Sequence, residues 1–167
     1  SRKLNVGNYL DISRIAMTTA NDILLLNYEI EVAAYATTAA SFAPGHVLAL
    51  AGDTKWSAET GTPVTDIRSA SDVIRKKIGK RPCHLTLSAD AFVAITMNEE
   101  VKKYLSTQQT GPATIDQLKT ILKVDEIVVG DAVWIDDSNT GKDVWGNNAV
   151  LAYVPKIGGA GSTDISL

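Results

Sequence analysis

The chain has 167 residues, 45% hydrophobic and 21% charged, which is ordinary for a globular protein and enough for one good core or two small subdomains. A net charge of -3 and a pI near 5.3 argue against a protein whose main task is gripping phosphate backbones, which calls for a strong basic excess. The single cysteine, Cys83, rules out an internal disulfide and fits a reducing compartment. With no signal-peptide pattern and an opening of Ser1-Arg2-Lys3, the chain is expected to be a fragment of a longer protein.

Tyr9 to Phe42 is predicted as one long helix. Ile12, Ile15, Thr19, Ile23, Leu26, Ile30, Ala33 and Thr37 recur at spacings of three and four, the period of one helix face, and no Pro or Gly interrupts them. Asp11 or Ser13 suits its start, and Ala43-Pro44-Gly45 its end. Roughly thirty residues at about 1.5 Å each span on the order of 45 Å, too long for a domain of this size to wrap on all sides. Asn21, Asp22, Asn27, Glu29 and Glu31 leave no apolar window that could span a membrane. Two readings stay open: an ordinary amphipathic core helix, and a spine across a flat subunit along which other subunits or a sheet lie.

The punctuated stretch from Pro44 to Pro63 reads as a connector. In it Trp56 fills a local gap in the core or marks a subunit contact. Pro63 opens a second helix, Asp66 suits its first turn, Ile67, Ala70, Ile74 and Ile78 line one face, and Gly79 stops it. The cluster Arg75, Lys76, Lys77, Lys80 and Arg81 is either a solvated helix end that complements the dipole or a salt-dependent contact with an acidic neighbour or nucleic acid. Cys83 to Leu87 is predicted as a buried strand, and Ser88 caps a helix from Ala89 to Met97. Asn98 caps a further short helix with Glu99 and Glu100 in its first turn and Val101, Tyr104 and Leu105 on its apolar face. Ser106 to Ala113 is a loop, and Thr114 with Gln117 opens a helix by a capping box, burying Ile115, Leu118, Ile121 and Leu122. Glu126 to Ile135 reads as one strand with a bulge at Gly130. Asp136 to Asp143 reads as a polar hairpin loop that leads to a last strand from Ala149 to Val154. The glycines at 158, 159 and 161 suggest a flexible tail, with a strand-like pattern resuming toward Leu167.

No catalytic, cofactor-binding or metal-binding residues are expected. His46 and His84 lack metal-ligand spacing, and adjacent Cys83 and His84 in a strand would project to opposite faces, which excludes a nucleophile and base pair. The acidic hairpin Asp136, Asp137, Asn139 and Asp143 lacks the calcium-loop pattern, since Gly141 is misplaced. Gly158, Gly159 and Gly161 lack the lysine of a phosphate loop.

The succession as a whole resembles the major capsid proteins of tailed bacteriophages, particularly prophage-type ones, with their Hong Kong 97-type capsid fold. It runs from the Ala/Thr-rich helix and Trp56 to Pro63-Val64-Thr65-Asp66-Ile67, then Arg81-Pro82-Cys83-His84-Leu85-Thr86-Leu87-Ser88, Val124 to Gly130, and Val144-Trp145-Gly146-Asn147-Asn148-Ala149-Val150-Leu151. The resemblance implies an α+β phage capsid-type fold: residues 1–62 a peripheral-domain part with spine helix and connector, 63–153 a mixed α/β axial domain, and 154–167 a return toward the peripheral domain. It implies that the family's amino-terminal arm and extended loop would precede Ser1 and its closing strands would follow Leu167. It further implies a non-enzymatic structural subunit without cofactors that assembles with itself into pentamers and hexamers of an icosahedral virion shell. Such a subunit works with a scaffolding protein or protease, is assembled in the bacterial cytoplasm, and encloses DNA without specific binding or any membrane. An encapsulin-like compartment subunit and a small α/β ligand-binding or enzymatic domain are the alternatives.

Overall fold

The computed structural model of the chain describes residues 3–105 and 111–155, giving for residues 3–10 the helix without its side chains. The architecture is α+β, built of helices and small sheets. Helix α1 covers Lys3–Thr37, a run of 35 residues, about 52 Å at 1.5 Å per residue. Asp11 and Ser13 therefore lie inside the helix and do not cap it, since the helix starts at Lys3 and runs through Gly7. The carboxyl end also comes earlier than Pro44 would dictate. The hydroxyls of Thr37 and Thr38 bond back to the carbonyls of Ala33 and Ala34 at 2.8 and 2.6 Å, a bonding mode that bends and weakens helices. Thr38 then turns to an extended conformation ahead of a single 3-10 turn, Ala39–Ser41. Among the described residues no helix is long and apolar enough to cross a membrane.

The chain divides into two compact units: one holds the chain up to Leu48, Leu87–Phe92 and Val129–Ala149, the other Ala49–Thr86, Val93–Val128 and the chain from Val150. In the first, the hairpin strands β3 (Val133–Ile135) and β4 (Gly141–Asp143) pair antiparallel, with Val133 opposite Asp143, Trp134 opposite Lys142 and Ile135 opposite Gly141. Trp145, just past the hairpin, donates its indole N–H to Glu29 of α1 at 2.8 Å. Its ring occupies the space a Cβ at residue 130 would need, so glycine there serves close packing instead of the predicted bulge.

The second unit is organised by a cap that arrives from far along the chain. Helix α2 (Pro63–Ile78) begins after Thr62, whose side chain makes no cap bond. The Glu100 carboxylate supplies it, accepting the N–H of Val64 at 2.8 Å and the N–H and hydroxyl of Thr65 at 3.4 and 2.5 Å. A negative charge there also meets the positive end of the helix dipole. Next to it, buried Asn98 caps α4 (Glu99–Lys102) by accepting the Glu100 N–H at 2.8 Å. Its amide donates to the carbonyls of Trp56 and Gly61 at 2.9 and 3.1 Å, fixing the connector. Trp56 is half-buried and donates to Asp66 at 2.9 Å, which favours a structural role for it. Gly79 ends α2 in the left-handed conformation, φ 73°, its N–H donating to Arg75 at 2.8 Å. Helix α5 (Ile115–Leu122) has the expected capping box, with Thr114 and Gln117 bonded reciprocally at 3.4 and 2.9 Å. Val64, Ile67, Leu85, Ile95, Val101, Leu118, Ile121, Leu122 and Ile127 form its buried core. Ile115 stays 39% exposed, contrary to expectation: it shares the face of Leu118 and Leu122 but is the first residue of the helix, one turn short of the buried positions. Tyr104 and Leu105 lie beyond the end of α4, with Tyr104 stacked under Arg68 at 5.0 Å.

Strands β1 (His84–Ser88), β2 (Glu126–Gly130) and β5 (Ala149–Ala152) form a sheet in the order β2-β1-β5. Cys83 donates to Ala152 at 3.1 Å and Ser88 to Asn148 at 2.9 Å, so β1 and β5 run antiparallel. Helix α3 (Ala89–Met97) follows β1 directly, and the Ser88 hydroxyl accepts the Ala91 N–H at 3.2 Å as predicted. The segment read as one strand, Glu126 to Ile135, is instead two strands in separate sheets. Asp131 and Ala132 separate β2 from β3, and β5 pairs with β1 and not with the hairpin. Gly141 to Asp143, assigned to the loop, is the hairpin's second strand, so only the residues between the strands turn. Residues 106–110 of the predicted loop and the tail beyond residue 155 lie outside the described residues.

Removing the distant cap leaves the Val64 and Thr65 N–H groups without their acceptor. Glu100→Ala is expected to lower stability by about 1–3 kcal/mol in urea melts, whereas Glu99→Gln, which loses only an exposed pair with Lys102, changes it by less than about 0.5 kcal/mol.

Candidate assembly surfaces

The residues weighed for chemistry do not converge on a pocket. His46 is exposed in the connector. Cys83 and His84, however, come together: Sγ lies 3.1 Å from Nδ1, and Nε2 lies 2.7 Å from a Glu126 carboxylate oxygen. The expectation that they face opposite ways fails because β1 begins at His84, so Cys83 lies outside the pleat and strand alternation does not govern it. In the tautomer with the proton on Nε2, the ring donates to Glu126 and Nδ1 accepts from the thiol. Sγ is also 3.4 Å from the Val154 carbonyl, a second acceptor. This arrangement ties the start of β1 to the chain beyond β5 and to the first residue of β2. Among the described residues no cluster of three or more His, Cys, Asp or Glu is placed to hold a metal. Gly158, Gly159 and Gly161 lie outside the described residues.

The acidic hairpin loop is held by its own first residue. One Asp136 carboxylate oxygen accepts the N–H groups of Ser138 and Thr140 at 2.9 and 3.0 Å, and the other accepts from the Lys142 ammonium at 2.8 Å. These bonds, Lys142 foremost, hold its carboxyl below the usual range. Asn139 completes the turn in the left-handed region, φ 57°. At the end of α2, Arg75 and Arg81 share Asp72 at 3.4 and 3.2 Å and lower its pKa, the Arg75 bond contributing most. Lys80 lies over the Tyr153 ring at 5.6 Å, and Lys76 and Lys77 are exposed.

Apolar surface is the more unusual feature. Along α1, Ile12, Ile15, Met17, Ile23, Leu24, Leu25 and Tyr28 are 54–74% exposed. The predicted face is covered only toward the carboxyl end, where Ala33 is buried and Leu26, Glu29, Ile30, Ala36 and Thr37 are half-buried. Every residue of β3 is exposed as well: Val133, Trp134 and Ile135. In the second unit a shallow groove of about 480 Å³ runs between Trp56, Ala58, Val93 and Met97, with Glu59 and Glu99 at its rim.

Because the folded pKa of Asp136 is depressed, its contribution is fully present above the ordinary carboxylate value near ~4 and is lost as pH falls through the lower folded value. The protection factors of residues 133–143, the exchange rates divided into their intrinsic rates at each pH, are expected to hold from neutral pH to about pH 4 and to fall below it. Asp136→Asn should exchange fast at neutral pH already, and an unchanged profile in that variant would contradict the role given to this carboxylate. Gly130→Ala drives a methyl into the Trp145 ring, and is expected to cost about 1–3 kcal/mol in a thermal melt and to shift the indole emission as the bond to Glu29 breaks.

Known proteins share this sequence and this fold. The chain is 34% identical over 144 residues to a major capsid protein of the Burkholderia phage BcepMu, a match that takes in 86% of the chain and 47% of that protein. A crystal structure of a phage-related protein from Bordetella bronchiseptica RB50 superposes with a TM-score of 0.78 at 30% identity, over 88% of this chain and 47% of that one. The chain thus spans about half the length of the relatives it matches. The family described as phage major capsid protein E matches residues 41–162, and the chain belongs to that family.

Proposed function

We propose that this chain is the part of a phage major capsid protein that carries the long helix and a mixed α/β domain, and that its role is mechanical. Many copies assemble into the pentamers and hexamers of an icosahedral shell that encloses DNA without binding it specifically. On this reading α1 is the spine of a peripheral domain comprising residues 1–62, residues 63–153 are the axial domain in a Hong Kong 97-type arrangement, and residues 154–167 return toward the peripheral domain. The protein carries no catalytic function, resides in the virion and is assembled in the bacterial cytoplasm, with a scaffolding protein or protease as its transient partners.

Family membership supports the reading, and one observation carries it. The exposed apolar side chains of α1 are a large unsatisfied surface: each Ile or Leu taken from water contributes about 1.5–3 kcal/mol, and a patch of this extent marks an interaction site. The mild negative charge suits a container that must release its contents. In a closed symmetric shell each modest contact is multiplied over many copies. Neither the encapsulin-like nor the enzymatic alternative is favoured by any of these features.

The complete gene product, expressed alone or with its scaffolding partner, is expected to run as a very large species on sizing and to show hollow shells or rings of five or six in negative stain. A folded product that stays monomeric under both conditions would overturn the proposal.

A further inference from the structure

The hairpin and the end of α2 are complementary to each other in both charge and apolar surface. Outside the Asp136–Lys142 pair, the hairpin region leaves Asp131, Asp137 and Asp143 exposed, with no side-chain partner among the described residues. Beside them stand Val133 and Ile135, 51 and 68% exposed, on the hairpin face that the register gives to Asp143, while Trp134 lies on the other face under the Lys142 ammonium at 5.6 Å; no other described strand covers the outer edges of this two-stranded sheet. A hairpin of that size is marginal alone, and two large apolar side chains on one bare face gain nothing from water.

The end of α2 presents the opposite pattern. Asp72 is shared by Arg75 and Arg81, which leaves Lys76 and Lys77 exposed without a carboxylate among the described residues. Val73 and Ile78 on the same helix end are 38 and 52% exposed. We infer that the β3–β4 hairpin of one copy docks on the carboxyl end of α2 of a second copy, Asp137 and Asp143 meeting Lys76 and Lys77 around Val133 and Ile135. The two patches differ, so the contact is head-to-tail, the kind that closes into rings. Opposite charges steer the encounter and fix its register, while the apolar residues supply the buried area. The inference rests on the shell reading for the existence of neighbours and adds which surfaces meet.

The test is a charge swap in the complete gene product. Lys76→Glu with Lys77→Glu, and separately Asp137→Lys with Asp143→Lys, are each expected to cut the yield of assembled particles about ten-fold while far-UV circular dichroism and melting stay near the parent's. Combining all four substitutions in one chain places opposite charges together again at every junction and is expected to restore assembly to within about two-fold. Zero-length carbodiimide crosslinking of the parent should join peptides carrying Lys76 or Lys77 to those carrying Asp137 or Asp143 between copies. Assembly unaffected by either double reversal overturns the inference and leaves the shell reading standing. Loss with no rescue on recombination also overturns it, as does a change confined to co-purified nucleic acid, which would make the basic end a nucleic-acid contact. A parent that never assembles removes both.

Discussion

A 35-residue helix whose apolar side chains from Ile12 to Leu25 stay exposed among the described residues is the constraint from which the rest follows. An isolated helix gains little from propensity alone and is held by packing of one face. In α1 that packing is confined to the last turns, around Ala33 and the Glu29 to Trp145 bond. Trp145 in turn requires a bare Gly130, so a single indole fixes the helix, the end of β2 and the base of the hairpin within one unit. Between Ile12 and Leu25 the apolar side chains Ile12, Ile15, Met17, Ile23, Leu24 and Leu25 stay exposed among the described residues.

The second unit shows the opposite economy, with nearly every buried polar group answered. Asn98 and Glu100, two residues apart, satisfy the connector, the start of α4 and the start of α2. Satisfying orphan backbone groups from a distant segment makes the helix and its cap interdependent, and so favours one arrangement. A rigid block of this sort suits a tile whose edges must meet neighbours reproducibly. Within the same unit the Cys83–His84–Glu126 chain joins the start of β1 to the first residue of β2 and to the chain beyond β5.

Local signals in the sequence carried well where chemistry is local. Pro63 and Gly79 bounded α2, Ser88, Asn98 and Thr114 capped the helices predicted for them, and the alternation of helix and strand after residue 62 held. What escaped was set by partners far away. Glu100 was read as a first-turn charge of its own helix, although it caps another one 36 positions back. Gly130 looked like a bulge because the indole opposite it is invisible in a linear pattern. The apolar period of α1 forecast a buried face over its whole length, and periodicity cannot say which molecule does the burying. Cys83 was assigned to a strand that starts one residue later, and that single step reversed the geometry with His84. For the surfaces, the basic cluster and the acidic hairpin were both legible, but the exposure of Val133 to Ile135 was not, because an apolar strand reads as a core strand.

On the shell reading, neighbouring copies cover the exposed turns of α1. Hydrogen exchange of residues 11–25 in the complete gene product, measured on assembled particles and on the same protein dissociated, tests it most directly. The account predicts slow exchange in particles and fast exchange after dissociation, with the turns around Ala33 protected in both. Equal exchange of residues 11–25 in the two states would contradict it, since the helix would then be covered by its own chain or left bare in the shell.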